Sequence, residues 1–393
     1  MASPRAVLVG ASSAQAAVAF ASFGLPAIGP DLAAEFDLGL AALGAVLLAQ
    51  VLGSGVFLIP AGVLVDRYGS RAALWLGGLL GSAGLAGAAF ASSTVVLIAL
   101  LVVSGIGAAI VPIAGFGALF RAYGPGRRGF ALGVRQMSVP LGGTVAAVGL
   151  PGLEALGGVR LALLTSAAAV LAFTGFFALV ADTGPSPEGR PRVELFRVLR
   201  VPGMQRLLVV AFLYVVVLTA AITYTVPAVR AAGFSPFVAG ATFLALNVTA
   251  GVARVAWGRM ADREGGFRRV RTLAEIGVVT AAGALLFLGA LHTSVGLMLP
   301  AAIVFAFGAL GWNAIVYLNA GEKAPPELAA QAISIAATLV FVVGAVLTPP
   351  LGALAAGVGW DAFWLACAVL AACGAAVAST LRTPAPVAAA PPA

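Results

Sequence analysis

Charge is scarce in this sequence of 393 residues. Asp, Glu, Lys and Arg together make up 9% of it, against about 25% in an ordinary soluble chain. Hydrophobic residues make up 61%, more than one water-soluble core can hide, so a soluble fold is excluded and a chain that crosses the bilayer many times is implied. Lysine is almost missing: Lys323 stands alone among 22 basic residues, and the rest are arginine. The two cysteines, Cys367 and Cys373, lie six apart in one apolar run, on different faces of a helix, so no disulfide framework follows. The single histidine, His292, falls in an outer loop. With no cluster of metal-ligating residues and no nucleophile beside a base, neither a cofactor nor an enzyme is expected. The Gly-x-x-x-x-Gly-Lys-Ser/Thr loop that cradles nucleotide phosphates is absent, which argues against ATP-driven work by this chain. The net charge of +8 sits in loops and does not point to nucleic acid.

What is present is a series of apolar runs of bilayer length. Twelve are expected, at roughly 7–29, 40–64, 72–91, 95–119, 130–152, 159–181, 206–229, 237–260, 272–291, 295–319, 329–352 and 361–381. The run after Arg5 is too long for a signal peptide and reads as an uncleaved first span. With the N-terminus inside, all but four of the 22 basic residues fall on inner segments. Arg160 and Arg230 lie near outer ends, Arg135 and Arg254 lie within spans, and the first outer loop is acidic (Asp31, Glu35, Asp37). That split predicts two cytoplasmic termini. Residues 1–182 and 205–382 then form two six-helix bundles. The connection at 183–204 is cytoplasmic and rich in Pro and Arg; it reads as a linker, although VELFRVLR has the pattern of a short helix lying on the inner leaflet. Residues 383–393 read as a disordered cytoplasmic tail.

The halves repeat. Gly62-Val-Leu-Val-Asp66-Arg67 closes the second span and Gly258-Arg-Met-Ala-Asp262-Arg263 closes the eighth. Pro26-Ala-Ile matches Pro227-Ala-Val, and Pro140-Leu-Gly142 matches Pro350-Leu-Gly352, in the same order. Duplicated halves place a substrate site at their interface, near the middle of the membrane.

The stretch GVLVDRYGSR, Gly62 to Arg71, resembles the signature loop between the second and third helices of the major facilitator superfamily, with Val65 in place of Ala and Ser70-Arg71 in place of the final basic pair. The copy at Gly258–Arg269 stands where that family has its second one. The resemblance covers the whole chain and implies an all-α membrane protein: twelve transmembrane helices in two pseudo-symmetric six-helix bundles. Asp66 and Asp262 sit at helix ends among arginines, where a carboxylate accepts from a neighbouring helix N-terminus and pairs with guanidinium groups. The resemblance implies that Asp66, Arg67, Arg71, Asp262 and Arg263 latch the cytoplasmic side in the outward-facing state; a charge cluster that only fixes topology is the plainer reading. ALGVRQMSVPLGG, Ala131 to Gly143, looks like the fifth helix of cyanate-permease-like bacterial members. It departs from the antiporter pattern Gly-Pro-x-x-Gly-Gly, which lowers the drug-efflux reading. Arg254 with Gly258 and Asp262 is similar to the eighth helix of oxalate and monocarboxylate carriers, whose arginine binds the substrate carboxylate. Ala250 stands where the monocarboxylate carriers have an Asp, which puts proton coupling by that route in doubt.

Arg254 lies about 12 Å inside the helix end marked by Asp262, and Arg135 about 10 Å into the fifth helix. Neither guanidinium can shed its proton there. If the fifth and eighth helices pack as that family implies, the two share a cleft and repel by about 2 kcal/mol at an effective dielectric near 20. Two readings stay open: the side chains snorkel towards the headgroups, or they hold an anionic substrate. Asn247, two turns before Arg254, is placed to orient it. By the resemblance, the first, fourth, seventh and tenth helices line the cavity, so Gln15, Tyr214, Thr219, Thr223, Tyr224, Trp312, Asn313, Tyr317 and Asn319 are candidates to shape it, with Gln50 in the second helix. Any single one is more often a hydrogen-bonder between helices than a ligand contact. Glu275, four residues after Arg271, reads as an i,i+4 pair. The expected function is transport of a small carboxylate or similar oxyanion, across a bacterial inner membrane, by a monomer embedded in lipid. The alternatives are export of hydrophobic or cationic compounds and a receptor that binds without transport.

Overall fold

The computed structural model describes residues 2–181, 194–263 and 268–381, and every regular element among them is a helix. Residues 1, 182–193, 264–267 and 382–393 lie outside the description, and with them half of the expected linker and the C-terminal tail. Nine helical stretches are long and apolar enough to cross a membrane, by length and composition. Three of these run to 47, 56 and 54 residues, more than twice the roughly 20 that span the hydrocarbon layer. Each is broken by glycine. In α3 (Leu40–Ala88) it is Gly69, at φ 77° and ψ 166°. In α5 (Arg128–Val180) the break is at Gly157 and Gly158, and in α12 (Ala329–Ser379) at Gly359. A positive φ of this kind is open to glycine and costly for other residues.

The other elements in chain order are α1 (Pro4–Gly24), α2 (Gly29–Glu35), α4 (Thr94–Ala122), α6 (Leu195–Leu199), α7 (Met204–Ala231), α8 (Pro236–Ala261), α9 (Arg269–Leu291), α10 (Val295–Ala309) and α11 (Asn313–Lys323). Two boundaries differ from the sequence expectation. The first apolar run does not continue as one helix to residue 29. It leaves α1 at Gly24 through a 3-10 turn containing Pro26, and Pro30 then starts α2, which takes in Asp31 and Glu35. The tenth run is not continuous either, because it breaks between Ala309 and Asn313. There the Gly311 amide bonds the Gly308 carbonyl, and the Phe307 carbonyl instead receives the Trp257 indole N–H at 2.7 Å. A Cβ on Gly311 would meet that indole at 2.6 Å, so the break and the tryptophan occupy one another's space. The VELFRVLR stretch does contain a short helix, α6, with Val198 buried. It is tied to the 3-10 turn that precedes α12 by an ion pair between Arg197 and Glu327 at 3.3 Å.

The halves meet along two crossings, α5 with α8 and α3 with α12. Both depend on glycine. A Cβ on Gly258 would lie 2.2 Å from the Gly129 carbonyl oxygen, and one on Gly133 would lie 2.3 Å from that of Arg254. A Cβ on Gly62 would lie 2.4 Å from Ser334 Oγ. Gly62 and Gly258 are matching positions of the repeated motif, so the repeat marks where the bundles touch. Close backbone approach of this sort is how helices associate when lipid supplies no hydrophobic drive.

Gly258→Ala is therefore expected to destabilise the protein by about 1–3 kcal/mol through overpacking. Gly240→Ala, on the same helix with nothing within 4 Å of its added Cβ, should change stability by less than about 0.5 kcal/mol. Thermal melting of the detergent-solubilised protein checks this; equal midpoints would mean that α5 and α8 slide apart freely.

Candidate functional site

Arg254 is only 8% exposed and Arg135 only 1%. The direction each takes can be read along its neighbour. The backbone of Arg254 packs at Gly133 of α5, but its Nη1 donates to the carbonyl of Gln136 at 3.2 Å, nearly a turn further from the end that carries Asp262. Arg135 lies against Gly115 of α4, where an added Cβ would sit 2.9 Å from its Nε. Its Nη2 donates to Gln15 Oε1 at 2.5 Å and to the Pro112 carbonyl at 2.9 Å, and Pro112 is also further from that end than Gly115. Neither side chain turns back to the charged rim, as a snorkelling arginine would.

The Arg135 guanidinium sits over the Phe116 ring, 4.3 Å from its centroid. Phe116 in turn meets Tyr317 edge-on at 5.2 Å, and Tyr317 is within electrostatic reach of both arginines. Ring faces and carbonyls thus take part of the charge. They do not take all of it: Arg135 Nε and Nη1 and Arg254 Nε are buried with no hydrogen-bond partner. Asn313, at the start of α11, is 8% exposed and its Oδ1 also has no partner. Among the described ion pairs none includes Arg135 or Arg254, so no carboxylate neutralises them directly.

The structure gathers Arg135, Gln15 and Tyr317 with Arg254 around this centre. It does not bring in Tyr224, whose hydroxyl donates to the Thr348 carbonyl at 2.5 Å and whose ring packs on Trp360 and Phe363. Asn247 spends its amide on the Phe243 carbonyl of its own helix at 3.0 Å. Tyr214 is wedged against Gly277 and Gly374 and bonds the Leu273 carbonyl at 2.7 Å. Gln50 bonds Ser104 at 3.0 Å in the packing of α3 on α4. Sequence spacing missed Phe116 and Gly115; a glycine and an aromatic at adjacent positions, three and four residues after Pro112 on α4, are the signal that was there to use.

At the charged end, each repeated aspartate caps a helix of the other half. Asp66 accepts from the amides of Ala330 and Gln331 at 3.2 and 3.1 Å, the first turn of α12. Asp262 accepts from Gly129 and Phe130 at 2.8 and 2.7 Å, the first turn of α5. A helix N-terminus has free amides and a positive dipole end, and the carboxylate answers both. Around Asp262 the charges continue. Arg269 lies 3.6 Å from it, bonds the Pro125 carbonyl and pairs with Glu322, which also pairs with Arg128 at 3.1 Å. Burial pushes the Asp262 carboxyl above the usual carboxylate range, against the pull of the Phe130 and Gly129 amides and of Arg269. Arg67 stacks on Tyr68 at 4.8 Å. Among the described residues the ion pair to Asp262 is made by Arg269, which shares Glu322 with Arg128. Glu275 pairs with Arg271 at 3.2 Å and with Arg268 at 2.7 Å. His292 is at the opposite end, 2.7 Å from Asp361.

Glu322→Gln leaves buried Arg269 and half-buried Arg128 without their shared carboxylate, and should lower stability by about 1–3 kcal/mol. Glu194→Gln removes only an exposed pair with Arg197 and should cost less than about 1 kcal/mol. Melting curves of the two variants, side by side, test the ranking.

The sequence pattern of the Major Facilitator Superfamily matches residues 11–346. No curated protein matches the chain. Among solved structures, the human organic anion transporter MFSD10 superposes with a TM-score of 0.77 at 16% identity, covering 95% of this chain and 99% of that one. The fucose:proton symporter FucP of E. coli gives 0.74 at 18% identity, over 95% and 98%. The proton:xylose symporter XylE gives 0.71 at 15%, over 95% and 94%. At these identities the likeness is one of fold. The all-helical architecture, the two glycine crossings and a sequence match over most of the length agree: the chain belongs to the Major Facilitator Superfamily, whose members are multi-pass membrane transporters.

Proposed function

We propose that this transporter moves a small anionic solute, a carboxylate or similar oxyanion, by alternating access, and that Arg135 and Arg254 hold its negative group. The observation that carries this is that three guanidinium nitrogens at this centre, Arg135 Nε and Nη1 and Arg254 Nε, are buried with no acceptor among the described residues. Leaving such donors unpaired costs about 1–3 kcal/mol each, and a bound oxyanion is the ligand that would take them, in the forked geometry arginine offers. Gln15 and Tyr317 support the pair, and Asn313 presents an acceptor for a substrate hydroxyl. Asn247 and Tyr224 stand outside this set, their polar groups spent on the Phe243 and Thr348 carbonyls. The lack of a carboxylate partner for either arginine favours facilitated transport or anion exchange over coupling through a central acid.

The distribution of basic residues orients the molecule. The end with Asp66 and Asp262 faces the cytoplasm of a bacterium, both termini lie inside, and the glycine breaks divide the long helices to give twelve spans. Asp66 and Asp262, with Arg269, Arg128 and Glu322, then hold that side shut. Arg67, Arg71 and Arg263 contribute to the basic inner rim. The kinship with cyanate, oxalate and monocarboxylate carriers belongs to this reading, and a structural neighbour described as an organic anion transporter is in keeping with it.

In proteoliposomes loaded with the full chain, uptake of labelled acetate, oxalate and cyanate is the direct test. Arg254→Gln and Arg135→Gln should each lower uptake of the transported anion by about tenfold or more, the loss expected of a charge-assisted hydrogen bond. Undiminished anion uptake by Arg254→Gln, with transport of hydrophobic cations, would replace this reading with the exporter. A separate measurement addresses the latch. Asp262→Asn should raise the rate at which a cysteine placed at Ala261, buried beside that seam, is alkylated from the inner side, several-fold over the same cysteine in the parent chain.

A further inference from the structure

Pro140 lies within α5, and proline has no N–H to donate. The group left without an intrahelical partner is the carbonyl four residues earlier, which is that of Gln136. Inside a membrane such a freed carbonyl has to be satisfied from outside its helix. The donor that reaches it is Arg254 Nη1, at 3.2 Å. We infer that Pro140 is a positioning residue: it opens the Gln136 carbonyl, and that carbonyl aims the Arg254 guanidinium at the turn of α5 that carries Arg135.

The arrangement explains a geometry that is otherwise unfavourable. Arg254 leaves its helix at the level of Gly133 and extends away from the charged rim, although the opposite course would bring it nearer water. A carbonyl with an unused lone pair, one residue along from Arg135, supplies the attraction. It holds two like charges on one turn without a neutralising acid, and keeps Arg254 Nε and its free donors for a ligand. The matching proline of the second half does not act this way. Pro350 frees the carbonyl of Val346, whose residue is 64% exposed. Arg135 is held differently as well, by the carbonyl of Pro112 itself rather than by the Ala108 carbonyl that Pro112 frees. The device therefore belongs to one arginine.

This inference rests on the reading of Arg254 as an anion ligand and says how that ligand is aimed. The test is a pair of double-mutant cycles on the full chain, combining Pro140→Ala with Arg254→Gln. An alanine at 140 returns an N–H to the Gln136 carbonyl; Pro140→Gly does the same and replaces it if the first variant does not insert. In proteoliposomes, with acetate, oxalate and cyanate as probes, Pro140→Ala should raise KM about tenfold, with a smaller change in the rate at saturation. In the Arg254→Gln background it should add nothing. Pro151→Ala, whose freed carbonyl is on exposed Ala147, should leave KM unchanged. The second cycle follows denaturation in detergent with no anion present, where the two substitutions should be non-additive. If Arg254→Gln abolishes transport while Pro140→Ala leaves KM unchanged and the denaturation effects add, the positioning role is overturned and the anion site stands. If the denaturation effects are coupled but Arg254→Gln transports normally, Pro140 positions Arg254 and the anion reading falls.

Discussion

A guanidinium cannot give up its proton, and the centre of this bundle is arranged around that constraint. Two of them lie deep in an apolar protein with no acid beside them. What they have instead is dispersed: carbonyl oxygens of Gln136 and Pro112, the amide of Gln15, the face of Phe116. Each is a partial charge or a quadrupole, and each leaves some donors over. A full carboxylate at the same place would satisfy the arginines completely and leave nothing for a visiting ligand. Partial compensation is thus compatible with both a stable empty protein and an affinity for anions.

The rim shows the same economy with opposite means. Both repeated aspartates cap a helix of the opposite half through two amides, so the duplicated motif yields duplicated contacts. The surroundings are not duplicated. Asp262 stands in a network with Arg269, Glu322 and Arg128 that draws on α5, α8, α9 and α11. Asp66 is met mainly by backbone and by the neighbourhood of Gln331. One joint is reinforced by mobile charges and the other by fixed dipoles, so the two respond differently to salt and to charge substitution.

Much of this could be read from residue order. The apolar runs, the repeated Gly-x-x-x-Asp-Arg, and the depth of Arg135 and Arg254 below the nearest helix end are all properties of one helix at a time. What escaped is whatever depends on a second helix. Tyr224 has the chemistry of a cavity residue, yet its hydroxyl is taken by Thr348, more than a hundred residues away. Arg67, Arg71 and Arg263 sit beside the aspartates in sequence, but among the described residues the ion pair to Asp262 comes from Arg269, which shares Glu322 with Arg128. The break in the tenth apolar run is invisible to hydropathy, because Gly308 and Gly311 are apolar enough to pass. It becomes necessary only when Trp257 needs the space and the Phe307 carbonyl.

Gln331 has a place in two connections at once. Its amide is held by Asp66, and its side-chain oxygen receives the amide of Glu194, where the chain emerges from the stretch joining the halves. Glu194 is thus fastened to the first turn of α12, beside the seam with α3, so that parting α3 from α12 leaves it with Gln331 and breaks the bond to Asp66 alone.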